Sequence, residues 1–173
     1  NFDLARAAVL GGSHFLDLGG NNDVVARELG LDAKARDRGV TIVPDCGLSP
    51  GLTSILGYHL ASQLGTCESL RLRAGGLPQN PRPPLNYQLE FSVQGLLNEY
   101  IEPALVIRDG RARTVPSLSE LELVHFPEPY GELEAFQTSG GTSTLPRTLE
   151  GKLKQLAAVA QQPVKIGLIT TLS

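Results

Sequence analysis

Methionine is absent from all 173 residues, and only two cysteines, Cys46 and Cys67, are present. Chains of this length usually carry several methionines, so a sequence opening at Asn1 without one reads either as an internal piece of a longer protein or as a sequence from which residues have been lost. Two cysteines cannot build a disulfide framework, which makes a reducing cytoplasm the expected compartment. No apolar run nears the ~18 residues of a membrane span, and no charged-then-apolar leader opens the chain. A basic surplus is missing too: 15 Lys and Arg against 18 Asp and Glu give a net charge of −3. Nucleic acid and anionic membrane surfaces are therefore excluded as main partners, since both need a basic patch. His14, His59 and His125 lie far apart and share no ligand spacing with the cysteines, which argues against a metal site.

What is present is enough for a core: 41% of residues are hydrophobic, and the 19 glycines and 12 prolines are scattered as turn signals. Asp3 to Leu10 is Ala-rich and helix-favouring, with Gly11-Gly12 as its stop. A short apolar stretch, His14 to Leu18, ends in Gly19-Gly20-Asn21-Asn22. Asn22 or Asp23 caps a second expected helix running through Arg38. Val40 to Val43 is a β-branched run ending in Pro44-Asp45-Cys46-Gly47. Ser49 then reads as an N-cap with Pro50 at the first helical position, and Leu52, Ile55, Leu56, Leu60 and Leu64 mark the face to be buried. Helices alternating with short strands at this spacing predict parallel βα units, in which ligands sit outside the carboxyl ends of the strands. Both strand ends are glycine-rich, which serves either close approach of backbone to a ligand or simply a tight turn. The dinucleotide fingerprint with three spaced glycines is absent, so this chain does not encode a complete cofactor site.

Beyond Gly65 the pattern changes. Leu70-Arg71-Leu72-Arg73-Ala74 alternates with period two, as expected of a half-solvated antiparallel strand, and runs through Gly75-Gly76 into a loop with four prolines. Val93 to Glu102 reads as a helix stopped by Pro103. Asp109-Gly110 between two β-prone runs is a two-residue hairpin turn, and further strands are expected at Leu121 to Phe126 and Leu133 to Gln137. Leu145, Leu149, Leu153, Leu156 and Ala160 mark a last helix. The fold class is therefore α/β: parallel βα units over residues 1–65, followed by an α+β domain with a mainly antiparallel sheet over 66–173. A nucleophilic Cys46 near a helix start is conceivable, but no histidine has a motif relation to it. Ser49 is accounted for by its expected role as a helix cap.

The stretch from Gly39 to Gly51, with Pro44-Asp45-Cys46-Gly47-Leu48-Ser49-Pro50-Gly51 at its heart, resembles the end of the nucleotide-binding domain in the saccharopine dehydrogenase family. Gly75-Gly76-Leu77-Pro78, then Pro84-Leu85-Asn86-Tyr87 and Phe91-Ser92, are similar to that family's entry into the catalytic domain. Glu134-Ala135-Phe136-Gln137-Thr138-Ser139-Gly140-Gly141 resembles a later core segment. The likeness is strongest to the lysine 6-dehydrogenase branch and covers about residues 1–155 in the family's order. It departs at two places: the unit carrying the phosphate-binding glycines is missing, and the tail from Gln161 to Ser173 does not match.

The resemblance implies a partial Rossmann-like domain followed by a substrate domain, and an NAD- or NADP-dependent dehydrogenase acting on a C–N bond of an amino acid. Oxidation of the lysine side-chain amine to a semialdehyde, or a saccharopine-type oxidation, is the reaction it implies. Gly19, Gly20 and Asn21 then border the cofactor, and Gly47, Ser49, Pro50 and Gly51 close over its nicotinamide side. Substrate contacts are expected at Gly75, Gly76, Asn86, Tyr87, Thr138, Ser139 and Arg147, whose guanidinium can grip a carboxylate through two hydrogen bonds. Asp45 is a weak candidate for accepting the proton of the amine. Saccharopine reductases carry an aspartate where this chain has Ser49 and a cysteine where it has Ala74, which favours another substrate. The expected partners are a small amino-acid substrate and a second copy in a homodimer. A non-catalytic ligand-binding or assembly protein of the same fold is the alternative.

Overall fold

The computed structural model describes residues 1–76, 78–80, 89, 91–128, 130–162 and 167–172, with side chains described as far as residue 157. Helix α1 (Phe2–Leu10) buries Ala5 and Val9, one turn apart on one face, and packs on α2 (Asn22–Leu29). Strands β1 (Phe15–Leu16) and β2 (Ile42–Val43) pair in parallel, Phe15 opposite Ile42. The α2 cap is Asn21, whose side-chain oxygen accepts the Val24 N–H at 3.0 Å, one residue ahead of the expected caps. Nor does the second helix run unbroken through Arg38. It divides at Gly30-Leu31, where Leu31 turns into the core, and resumes as α3 (Asp32–Asp37).

Helix α4 (Leu52–Gln63) differs from expectation in cap and face. Its N-cap is Gly51 at φ +128, not Ser49, and the Ser49–Pro50 peptide is cis. The Gly47 and Leu48 carbonyls accept the N–H groups of Leu52 and Thr53 at 2.9 and 3.0 Å, so the folded-back loop does the capping. Thr53 and Gly57 are the buried positions, and Leu70 and Leu72 of the sheet press against the bare Gly57. The leucine stripe is left outside, with Ile55 66% exposed.

The second sheet has seven strands: β3 (Ser69–Gly75), β4 (Ala104–Arg108), β5 (Arg111–Val115), β6 (Glu122–Phe126), β7 (Gly131–Gln137), β8 (Gln155–Gln162) and β9 (Gly167–Leu172). Their order is β5-β4-β8-β3-β9, with the β6–β7 hairpin joined through β7 to β8. Among the described residues of this sheet only β3 and β8 pair in parallel; the other neighbours are antiparallel. Asp109 and Gly110 turn the β4–β5 hairpin with φ of 52° and 77°, the left-handed pair a two-residue turn of this hand requires. Helix α5 (Val93–Ile101) starts at Ser92, whose hydroxyl accepts the Gly95 N–H at 3.0 Å.

The expected last helix is the main correction. Helix α6 (Leu145–Leu149) ends after five residues, and Gly151 at φ +74 starts the turn into β8. Leu145, Leu149, Leu153 and Leu156 are all buried in one core with Leu70, Leu72 and Ile107, but the last of them from the central strand. A strand covered on both faces needs apolar residues in succession, so Leu156-Ala157 satisfies the sheet as readily as a helix face. The alternation in β3 also holds only in part: Leu70 and Leu72 are buried and Arg71 exposed, yet Arg73 is buried against Glu122, N to O 2.7 Å.

Candidate functional site

The corners after β1 and β2 are adjacent. The Cys46 N–H donates to the Asp17 carbonyl at 2.7 Å, and the Asp45 N–H to the Asp17 carboxylate at 3.3 Å. Asp45 sits in the left-handed region at φ 58 and is 8% exposed. One of its carboxylate oxygens accepts the Gly20 N–H at 3.0 Å, and the other accepts the Ser143 hydroxyl. A single side chain thus joins both strand-end corners to the loop between β7 and α6. Burial raises the Asp45 carboxyl above its ordinary range, against the opposing pull of the Ser143 and Gly20 hydrogen bonds.

Further contacts run along the same seam. Asn21 Nδ2 donates to Glu102 Oε1 at 3.2 Å, and Asn22 Nδ2 to Ser139 Oγ at 3.5 Å. Gly140, at φ +81, is so close to the first corner that a Cβ would lie 2.4 Å from the Gly20 carbonyl oxygen. A cavity of about 190 Å³ opens here, with Asn22, Asp45, Ser143 and Arg147 among its polar lining and Val25 and Leu105 among its apolar lining. The Arg147 side chain is exposed and makes no hydrogen bond or ion pair among the described residues. One cation and one buried carboxyl therefore border the same small space, which suits a molecule carrying both charges.

Two further carboxyls sit near the seam. Glu28 of α2 is 1% exposed, and its acid is pushed up to about 7 by burial and by the neighbouring Asp17. Glu99 of α5, whose carbonyl accepts the Ser139 N–H at 3.0 Å, is likewise pushed up to about 7 by burial.

The residues expected to contact ligand divide into groups. Gly20, Asn21, Asp45, Ser139 and Arg147 lie along the seam, with Thr138 beside Ser139. Gly75 and Gly76 do not: Gly75 stands level with Gln161 of β8, whereas the antiparallel β7 brings Gln137 level with Val159 and continues away from that end. Asn86 and Tyr87 lie outside the described residues. Among the corner glycines, only Gly20 faces open space. A Cβ on Gly19 would lie 1.7 Å from the Asp45 carboxylate, one on Gly47 2.7 Å from the Leu18 carbonyl oxygen, and one on Gly51 2.2 Å from the Gly47 carbonyl oxygen. Ser49 and Pro50 occupy the turn that Gly47 and Gly51 close by a bridge.

Sequence reading missed Ser143, Asn22, Asp17 and Gly140. The signal for two of them was present in Gly140-Gly141-Thr142-Ser143, a glycine pair followed by hydroxyls, which reads equally as a plain loop. Cys46 is exposed, and the histidines are engaged elsewhere. The His14 ring accepts the Thr41 N–H at 3.0 Å and the His59 ring meets Gln63 Nε2 at 2.9 Å, while His125 stands on β6 at the register position opposite Glu132 of β7. Among the described residues no group of three or more His, Cys, Asp or Glu can hold a metal ion, and no helix is long and apolar enough to cross a membrane.

Comparison with known proteins adds four findings. Residues 47–157 match the family model described as the saccharopine dehydrogenase C-terminal domain. The mitochondrial alpha-aminoadipic semialdehyde synthase of Mus musculus is 33% identical over 91 residues, 49% of this chain and 10% of that protein. The saccharopine dehydrogenase (NADP(+), L-glutamate-forming) of Pyricularia oryzae is 27% identical over 106 residues, 58% of this chain and 23% of that protein. The chain thus spans a small part of the length of the curated relatives it matches. In fold it is similar to apo saccharopine dehydrogenase (L-Glu forming) from Saccharomyces cerevisiae, with a TM-score of 0.67 over 92% of this chain and 37% of that one, at 18% identity.

Proposed function

Because the chain belongs to the saccharopine dehydrogenase C-terminal domain family, we propose that it is part of an NAD(P)-dependent oxidoreductase of lysine metabolism acting on a C–N bond of an amino acid. The reaction proposed is oxidative deamination of the lysine side-chain amine to a semialdehyde, or oxidation of a saccharopine-type secondary amine. The observation that carries this reading is the seam cavity, where Arg147 and the buried Asp45 offer opposite charges to one small molecule.

In this reading Arg147 anchors the substrate carboxylate through its planar fork, and Asp45 faces the amino group. Ser143 and the Gly20 N–H hold the Asp45 carboxylate in one orientation, so it needs no reorganisation when a cation arrives. A nicotinamide cofactor, when bound, supplies the hydride acceptor. Open space beside Gly20 fits the edge of such a molecule, with Asn21 next to it. Gly19, Gly47 and Gly51, filled by their own protein neighbours, build that corner instead of cradling a ligand. Residues 1–65 would then be the closing part of the nucleotide-binding domain and 66–173 the substrate domain. Two free cysteines support a reducing compartment such as the cytoplasm, and a homodimer is the assembly we propose.

Calorimetric titration of the chain with lysine, saccharopine and glutamate tests the reading. One of them is expected to bind, and Arg147→Ala to weaken that binding about tenfold, as loss of a charge-assisted bidentate contact does. Absence of binding by all three overturns it. A second reading, a non-catalytic ligand-binding or assembly protein of the same fold, draws support from the tight packing of Gly19, Gly47 and Gly51. It predicts ligand binding by the whole protein with no reduction of NAD+ or NADP+.

A further inference from the structure

A second cavity, of about 490 Å³, opens at the other end of α4. That volume lies within the roughly 300–1,000 Å³ of small-molecule sites. Its lining includes two core residues, Leu149 and Leu153, which are 4% and 5% exposed, and two uncovered apolar residues, Tyr58 and Leu64, which are 45% and 43% exposed. The lining is held in place by backbone. The Gly110 N–H donates to the Lys154 carbonyl at 3.0 Å, the Gly151 N–H to the Gly110 carbonyl at 2.9 Å, and both Lys154 and Gln155 N–H groups to the Glu68 carbonyl at 3.0 Å.

Four charged residues line the cavity. Glu68 and Lys154 neutralise each other, N to O 2.6 Å. Asp109 and Lys152 remain, opposite in sign and without ion-pair partners among the described residues. An apolar molecule with a single charge would use only one of them. A molecule with an apolar body and both a carboxylate and an ammonium uses the floor and both charges together. We propose that this cavity is a binding site for a free amino acid with an apolar side chain, its carboxylate toward Lys152 and its ammonium toward Asp109. The site shares no lining residue with the seam cavity, so its proposed occupant is a ligand additional to the one proposed there.

Cys67 provides the readout, since it lines this cavity half-buried and Cys46 is the only other cysteine. In the Cys46→Ser chain, L-phenylalanine is expected to slow the reaction of Cys67 with DTNB saturably, by about fivefold. Phenylpropionate, which lacks the ammonium, and phenethylamine, which lacks the carboxylate, are each expected to need about tenfold higher concentrations for the same effect. Lys152→Gln should weaken protection by L-phenylalanine about fivefold, whereas Arg147→Ala leaves it unchanged, which separates this site from the seam. No saturable slowing, equal protection by either one-charge analogue, or full protection in Lys152→Gln overturns the proposal.

Discussion

Replacing Glu28 by glutamine should stabilise the protein above neutral pH and do little to it in mild acid. Glu28 lies in α2 at 1% exposure, and neither of its carboxylate oxygens finds a hydrogen-bond donor among the described residues. Asp17 beside it also has one buried carboxylate oxygen without a donor. Burial, reinforced by that neighbouring carboxyl, moves the Glu28 acid from its ordinary 4.5 to about 7 in the folded protein. Below pH 4.5 the side chain is protonated whether folded or unfolded and costs nothing. As pH rises toward 7 the unfolded chain releases the proton while the fold retains it, so stability falls, and above about 7 the loss is complete. At 1.36 kcal/mol per pH unit the loss reaches about 3 kcal/mol. Glutamine has the same shape, carries no proton to lose, and can donate its amide to Asp17. The variant should therefore exceed the parent by less than about 1 kcal/mol at pH 5 and by up to about 3 kcal/mol at pH 8. Equilibrium urea unfolding followed by far-ultraviolet circular dichroism measures both values. An equal effect at both pH values, or a weaker variant at pH 8, would refute the account of Glu28 as a protonated buried acid.

Ser143→Ala removes the donor from one oxygen of the buried Asp45 and should cost about 1–3 kcal/mol in the same urea assay; a loss under about 0.5 kcal/mol would show that the latch carries little energy. Gly140→Ala, at φ +81 and with its new Cβ 2.4 Å from the Gly20 carbonyl oxygen, should lower the thermal midpoint, by at least about 1 kcal/mol in stability. Leu156→Ala, at a position 0% exposed in the centre of the sheet, should cost about 2–5 kcal/mol by urea unfolding.

The parts of the fold that local chemistry determines were legible in the sequence. Asp109-Gly110 reads as a hairpin because few other pairs tolerate positive φ twice, and both residues adopt it. The parallel pairing of β1 with β2 follows from the helical crossover between them, α2 and α3. Neighbours across the fold decide what was misread. Leu145, Leu149, Leu153 and Leu156 fit a helical face, and only the presence of β3 and β4 on either side makes Leu156 part of a strand. Likewise, Gly57 and not the leucine stripe turns toward the sheet because Leu70 and Leu72 need room there. At the seam, Asp45 could be picked out as an acid at a strand end, but its partner Ser143 lies 98 positions along the chain, beyond any spacing rule.

The place of β8 has a consequence for how the chain acquires its shape. Strands β3, β4 and β7 each hydrogen-bond to it, although all three are synthesised before it. During translation the growing chain therefore carries several unmated strand edges and leucines still in water until the segment after Gly151 emerges and slots between them. Assembly of this sheet is a late, long-range event, and release of a chain cut short before Gln155 should yield a sticky, incompletely organised product.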